Sequence, residues 1–256
     1  MVTPARPGCV IAVNGLIRQA GNTDEEGAVK LAIIAATGGI GRLALTQAAA
    51  AGHDVTAVAR NPRNLPPGAA RVVTADLAAP DPAALQAAVA GADGVLSGLG
   101  PRGRADAGIT CRGTRTIVTA MQAAGVRRLI VVSAAPVGTV PSPGRPRPPR
   151  RPRPPRRDPG DGILLRTVAY PVLKAVLREP YADLARTEDV LRESGLDWSS
   201  VRPVRLTGKP ASGRYRTALG RNVRHGLSIS RADVAGCMLE VIGRPETFGQ
   251  AIGIAN

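Results

Sequence analysis

The chain is short of aromatic side chains, with one Trp, three Tyr and one Phe in 256 residues. Its core must therefore be built from Ala, Val, Leu and Ile, which a hydrophobic content of 44% can supply. Bases would find almost no stacking platform, which disfavours a nucleic-acid-binding role. Histidine is scarcer still, at two residues, and the three cysteines, Cys9, Cys111 and Cys237, are odd in number and widely spaced. That pattern argues against a structural zinc centre, predicts no metal site and fits a reducing cytoplasm. No apolar run approaches the roughly 20 residues that a membrane span requires. The run Cys9 to Ile17 is interrupted by Asn14 and Gly15 and makes a poor signal peptide. A cytoplasmic protein without membrane association is expected.

Acidic residues are outnumbered, 19 against 34 Lys and Arg, for a formal charge of +15. Such an excess ordinarily points to nucleic acid or an acidic surface. Here seven arginines and one aspartate fall between Pro141 and Asp158, so about +6 belongs to one segment. Within it, residues 145–150 read RPRPPR and residues 151–156 read RPRPPR again. A duplication this rich in Pro and Arg cannot form a helix or an interior strand, and it predicts an exposed polyproline-like loop insertion at about 141–160. Such a loop is either repeat expansion on a tolerant surface or a docking site for a protein partner that recognises proline.

What is present begins at Lys30. Leu31 to Ala35 is an apolar run of strand length. It breaks into Thr37-Gly38-Gly39-Ile40-Gly41, and an Ala-rich helix follows from Leu43 to Ala51. Strand, glycine turn and helix in that order open a βαβ unit, and the helix N-terminus then offers free N–H groups to an anion. Gly38 would let backbone approach a pyrophosphate, and Gly41 would let helix and strand pack closely. The glycine usual at the first position of this fingerprint is replaced by Ala35.

The alternation continues. Strands are predicted at Asp54–Arg60, Arg71–Asp76, Gly94–Leu99, Arg128–Ala134, Asp197–Pro203 and Gln250–Ile254. Helices are predicted at about 82–90 and 107–124, at Gly162–Arg178 and Tyr181–Ser194 with breaks at Pro171 and Pro180, and at Ser228–Ile242. In the last, Ser230 is the expected N-cap and Asp233 completes a variant capping box. Strands alternating with helices imply right-handed crossovers and a doubly wound parallel sheet, an α/β Rossmann-type single domain over 29–256. Residues 1–28 fit no unit of this pattern and read as a flexible N-terminal extension. Trp198 is expected in the core, and His53 and His225 have no visible partners.

Asp or Glu at the end of the second strand would hold the ribose hydroxyls of NAD. Arg60 stands there instead, with Arg63 shortly after and Arg42 nearby, and a guanidinium suits a 2′-phosphate. The residue chemistry therefore favours NADP (NADPH) over NAD.

The glycine turn, Arg60, Asp76-Leu77, the strand-four GLG, VVSAA, EDVLRESGLDWSSVRP and SISRADVA recur together in this order. As a set they resemble the NAD(P)H-binding atypical short-chain dehydrogenases, the group containing NmrA-like proteins and biliverdin reductase B/flavin reductase. The resemblance spans about Val29 to Ile254. It implies that Asp76 and Leu77 border the adenine, and that Leu99, Gly100 and Arg102 line the cofactor cleft. It also implies that Ser133 faces the nicotinamide as the one catalytic-side candidate, and that Pro203, Val204 and Arg205 close over it. The Tyr-x-x-x-Lys pattern of Tyr170 and Lys174 stands in the wrong register. Counted from Glu188, the pair should fall at Pro180 and Leu184, and Tyr181 is one residue off with Ala185 in place of lysine. Two functions stay open, an NADPH-dependent reductase of a flavin, quinone or similar planar acceptor, and a catalytically silent NmrA-like NADP(H) sensor.

Overall fold

Leu31 and Ile33 pack into one hydrophobic cluster and Ala32 and Ile34 into another, so the first strand is buried on both faces. The alternation of a strand's side chains between its two faces turns this single apolar run into the floor of two cores. The computed structural model describes residues 28–101, 106–140, 142–144 and 178–256. The expected extension over 1–28 (apart from residue 28), the RPRPPR repeats, the helix at Gly162–Arg178 (apart from its last residue), Arg102, Tyr170 and Lys174 lie outside the described residues.

In chain order the elements are β1 (Lys30–Ile34), α1 (Gly41–Ala50), β2 (Asp54–Ala59), β3 (Arg71–Thr74), α2 (Pro82–Val89), β4 (Gly94–Ser97) and α3 (Ile109–Ala124). They continue with β5 (Arg128–Val132), α4 (Arg178–Glu193), β6 (Asp197–Pro203), β7 (Arg205–Thr207), β8 (Arg216–Leu219), β9 (Ser228–Ser230), α5 (Arg231–Glu240) and β10 (Gln250–Ala255). Eight strands form the main sheet in the order β3-β2-β1-β4-β5-β6-β10-β8, and only the β10–β8 pairing is antiparallel. This is the doubly wound Rossmann-like arrangement. Its strand order reverses between β1 and β4, which opens a crevice at their carboxyl ends. One core joins β1 to α1 and α5 through Leu45, Val234 and Met238. The other joins it to α2, α3 and α4 through Leu85, Ile117, Met121 and Leu191, and contains Trp198.

The structure differs from the sequence expectation at several ends. β3, β4 and β5 stop at Thr74, Ser97 and Val132 rather than at Asp76, Leu99 and Ala134. One further amide beyond each end still bonds to the neighbouring strand, Ala75 to the Ala59 carbonyl, Gly98 to that of Ile34 and Ser133 to that of Val201. Ala75 to Ala78 and Gly98 to Pro101 then form part of the crevice wall. Residues 228–230 form β9, paired with β7 through Leu206↔Ile229, rather than a first helical turn. Ser230 is extended (φ −76°, ψ 149°) and its hydroxyl accepts from the Asp233 amide, so the helix begins only after this cap. Pro180 lies in the first turn of α4, where no intrahelical N–H is needed, and so does not break it. β10 is not the edge strand, because β8 lies outside it.

A buried ionic cluster ties α4 to β5 and β6. The Glu188 carboxylate, 1% exposed, accepts from Arg202 Nε at 2.7 Å, Arg192 Nη2 at 3.2 Å, Ser133 Oγ at 3.0 Å and Ser200 Oγ at 3.1 Å. Asp183, on the same helix, accepts from the Thr110 and Cys111 amides at 3.0 and 3.2 Å and so caps α3 from outside. Asp189 holds the base of the expected insertion, accepting from Ser142 Oγ at 2.9 Å and the Gly144 amide at 3.1 Å. Three carboxylates spread around α4 thus fix three separate segments.

Removing the Glu188 carboxylate leaves Arg202 buried without its counter-charge. Glu188→Ala should therefore lower the unfolding free energy by about 3–5 kcal/mol. Urea titration measures this, and a midpoint equal to that of the unmutated protein would contradict the buried pairing.

Candidate functional site

The crevice is a cavity of about 530 Å³ at the carboxyl edge of the sheet. Its floor is built by close approaches that only glycine permits. A β-carbon on Gly41 would lie 2.3 Å from the Ala35 carbonyl oxygen, and one on Gly98 would lie 2.9 Å from the Gly41 nitrogen. The start of α1 is thereby pressed against the ends of β1 and β4. Ala35 itself takes a left-handed conformation (φ 57°), and its carbonyl accepts from the Gly38 amide at 2.8 Å. The alanine thus adopts the backbone that glycine adopts more cheaply. Ile40, the N-cap of α1, provides no side-chain cap, and the first turn carries no acidic residue. The Arg42 amide donates to the Gly38 carbonyl at 3.0 Å, and the glycine turn at the positive end of the helix dipole is left to face the cavity, where an anion would be held.

Thr37, Gly38, Gly39 and Ile40 all line this cavity, while Gly41 is buried behind them as the packing residue. Arg60 follows the last residue of β2, is exposed and lines the wall. Arg63 does not. It sits in a short 3-10 turn whose start is capped by Asn61, accepting from the Arg63 amide at 3.2 Å, and Asn64 reaches the wall instead. Asp76 and Leu77 are on the wall, and Asp76 Oδ1 accepts from the Ala78 amide at 2.9 Å, which fixes the turn. Leu99 and Gly100 complete that side. Leu77 and Leu99 both pack over Gly113 of α3, where an added β-carbon would lie 2.5 Å from Leu99 Cδ2.

The nicotinamide-side residues are placed differently. Ser133 is buried, its hydroxyl donates to Glu188, and it is not on the cavity wall. Pro203 is buried, Val204 is half-buried and Arg205 is exposed, and none of the three lines the cavity. Leu206, the next residue, does. Tyr181 is buried against Val137 and Ala185, and burial pushes its phenol above the ordinary range. It has no lysine one turn on.

The sequence reading missed Asn64, Leu206 and Arg231. Arg231 is the first residue of α5 and lies over the glycine turn, because a β-carbon on Gly39 would sit 3.2 Å from Arg231 Cδ and 3.3 Å from Nε. No local motif marks it. The only signal was a cation at the N-terminus of a helix that starts at the carboxyl edge of the sheet. At the opposite, amino edge a second cavity of about 340 Å³ is bordered by Lys30, Asp54 and Arg71. Among the described residues no helix is long and apolar enough to cross a membrane.

The arrangement fits a dinucleotide. It offers a glycine cradle and helix N-terminus for a diphosphate, a guanidinium at the end of β2, and an apolar wall beyond. Comparison with known proteins agrees. The profile of the family described as NAD(P)H-binding matches residues 35–245. A Burkholderia pseudomallei protein, provisionally described as exported, is 30% identical with a TM-score of 0.66, covering 89% of this chain and 100% of that one. A Veillonella parvula short-chain dehydrogenase/reductase in complex with NADP is 19% identical with a TM-score of 0.67, covering 89% and 94%. ChuY, an anaerobilin reductase from Escherichia coli O157:H7, is 22% identical with a TM-score of 0.63, covering 88% and 96%. Likeness of this last kind carries the fold.

The left-handed Ala35 gives a test of the floor. An L-residue pays roughly 1–2 kcal/mol in that conformation, and glycine's extra freedom in the unfolded chain costs about 0.4–1 kcal/mol. Ala35→Gly should therefore stabilise by about 0.5–1 kcal/mol, seen as a raised Tm. A lowered Tm would show that Ala35 is not strained.

Proposed function

Because the chain belongs to the NAD(P)H-binding family, we propose that it is an NADPH-dependent reductase acting on a flavin, quinone or similar planar acceptor. The observation that carries this reading is Arg60 on the cavity wall at the end of β2, where a carboxylate would select NAD. The reductase chemistry is supported by the fold shared with ChuY and with the NADP-bound short-chain dehydrogenase/reductase.

When bound, the cofactor supplies a hydride. The chain's own residues hold and orient it. The N-terminus of α1 holds the diphosphate, Arg60 the 2′-phosphate, and Asp76 with Leu77 borders the adenine. Leu99 and Gly100 wall the middle of the cleft, and Leu206 bounds it from the β7 side. Glu188 holds Ser133 at the end of β5, and Ser133 would act as a positioning residue rather than by touching the acceptor. Protons come from solvent, since no Tyr–Lys pair stands in the expected register.

A second reading is a catalytically silent NADP(H) sensor of the NmrA type. It is favoured by one observation. The Ser133 hydroxyl is committed to Glu188 and Tyr181 is buried, so neither offers a proton to an acceptor. Steady-state NADPH oxidation with flavins, quinones and tetrapyrroles separates the two. The reductase requires an added acceptor, and its turnover survives Tyr170→Phe and Lys174→Ala. Tight NADPH binding without turnover on any acceptor would favour the sensor.

Cofactor choice is tested separately. Arg60→Asp removes a charge-assisted hydrogen bond worth about 1.5–3 kcal/mol and adds repulsion. NADPH affinity should fall by about tenfold or more while NADH changes by less than about threefold. Equal affinity of the unmutated protein for NADPH and NADH would overturn the assignment of NADP.

A further inference from the structure

Arg231 lies nearly two hundred residues beyond the glycine turn in sequence, yet its side chain crosses the face of Gly39 and lines the same cavity. We propose that Arg231 is the second holder of the cofactor diphosphate, closing over it from α5 while the N-terminus of α1 holds it from below. This rests on the reading of the cavity as a dinucleotide site and adds a residue that no glycine-turn motif contains.

Three features converge on this role. The first is position. The first turn of α5 is fixed to α1, because Gln47 Nε2 donates to the Ala232 carbonyl at 2.9 Å. The start of α5 is therefore fixed to the body of α1, and from there the Arg231 side chain reaches the glycine turn that precedes α1. The second is charge. Among the described residues no carboxylate forms an ion pair with Arg231. The nearest acid in sequence, Asp233, is already occupied. Its carboxylate accepts from the Ser212 amide at 2.7 Å, Ser212 Oγ at 3.0 Å, the Gly213 amide at 3.0 Å and Ser230 Oγ at 2.8 Å. The half-exposed Arg231 guanidinium stands beside a helix N-terminus without a side-chain cap, in a cavity that Arg60, Asp76 and Asp106 also line, and is placed to meet an anion at the glycine turn. The third is fit. Gly39 is the residue that lets the arginine stem pass, since a β-carbon there would meet Cδ and Nε at 3.2 and 3.3 Å. The planar fork of Arg suits two phosphate oxygens, which a point charge serves less well.

The diphosphate is common to NADPH, NADH and ADP-ribose, whereas the 2′-phosphate belongs to NADPH alone. This separates Arg231 from Arg60. Calorimetric titration of Arg231→Gln should show affinity for ADP-ribose, NADH and NADPH falling together by about tenfold or more, the scale of one charge-assisted hydrogen bond. Adenosine 2′-monophosphate, which has no diphosphate, should bind within about twofold of the unmutated protein. Arg231→Lys should recover part of the loss. Gly39→Ala should weaken ADP-ribose in the unmutated background more than in Arg231→Gln, because it acts partly by displacing the arginine. The proposal is overturned if Arg231→Gln leaves ADP-ribose affinity unchanged, or if the loss is confined to ligands carrying a 2′-phosphate. Failure of ADP-ribose to bind the unmutated protein would remove the dinucleotide reading itself. Equal binding of NADH and NADPH would remove only the preference for NADP and leave Arg231 in place. A Tm within about 2 °C of the unmutated protein shows that the variant is folded.

Discussion

The architecture of the cleft depends on one steric constraint, the contact of the first turn of α1 with the ends of β1 and β4. Gly41 lies so close to the Ala35 carbonyl that a β-carbon would fall 2.3 Å from its oxygen, and Gly98 closes on Gly41 from the neighbouring strand. This contact sets the direction of α1, and hence the point at which the positive end of its dipole meets the cavity. It also explains why Ala35 is tolerated in a conformation that glycine would adopt at lower cost. The packing of the surrounding strand and helix over-determines that turn. A cofactor site built this way is rigid before any ligand arrives, which reduces the ordering cost of binding.

The other half of the sheet is organised differently. Beyond β5 the backbone is positioned by buried charge, with Glu188 joining Arg202, Arg192, Ser133 and Ser200, and Arg128 donating to the Ile242 and Asp197 carbonyls and to Ser199 Oγ. Arg128 also stacks on Phe248, 4.5 Å from the ring centroid. A chain with so few aromatic residues uses one of them here to cover a buried cation. Such clusters specify position more than they add stability. The glycine-turn half of the sheet is fixed by steric fit and the half beyond β5 by polar networks.

The glycine-turn half was readable in the sequence because its signals are local. Leu31 to Ile34 is a continuous apolar run, Gly38 and Gly41 mark a turn with a known consequence, and Arg60 stands at a strand end whose chemistry is informative. Ser230 and Asp233 likewise marked a cap within four residues of chain. The rest was hidden for identifiable reasons. β7 and β9 are three residues each, too short to show a period of two, and β8 carries no alternation above its background of Arg and Thr. The resemblance implies that Ser133 faces the nicotinamide, and no local signal showed that its hydroxyl donates to Glu188, 55 residues away. Arg231 belongs to the site only because α5 packs on α1, a fact of tertiary structure with no trace in the motif. Pro180 was read as a break because proline inside a helix is one, whereas in the first turn it is not.

The central claim is that the carboxyl-edge crevice is where the dinucleotide binds, and amide hydrogen exchange tests it most directly. Exchange of the unmutated protein should be compared with and without saturating NADPH. The account predicts slowed exchange at residues 37–41, 76–78, 99–100 and 231, with no change at the amino edge. Unchanged exchange in the crevice, or protection confined to the cavity bordered by Lys30, Asp54 and Arg71, would contradict it.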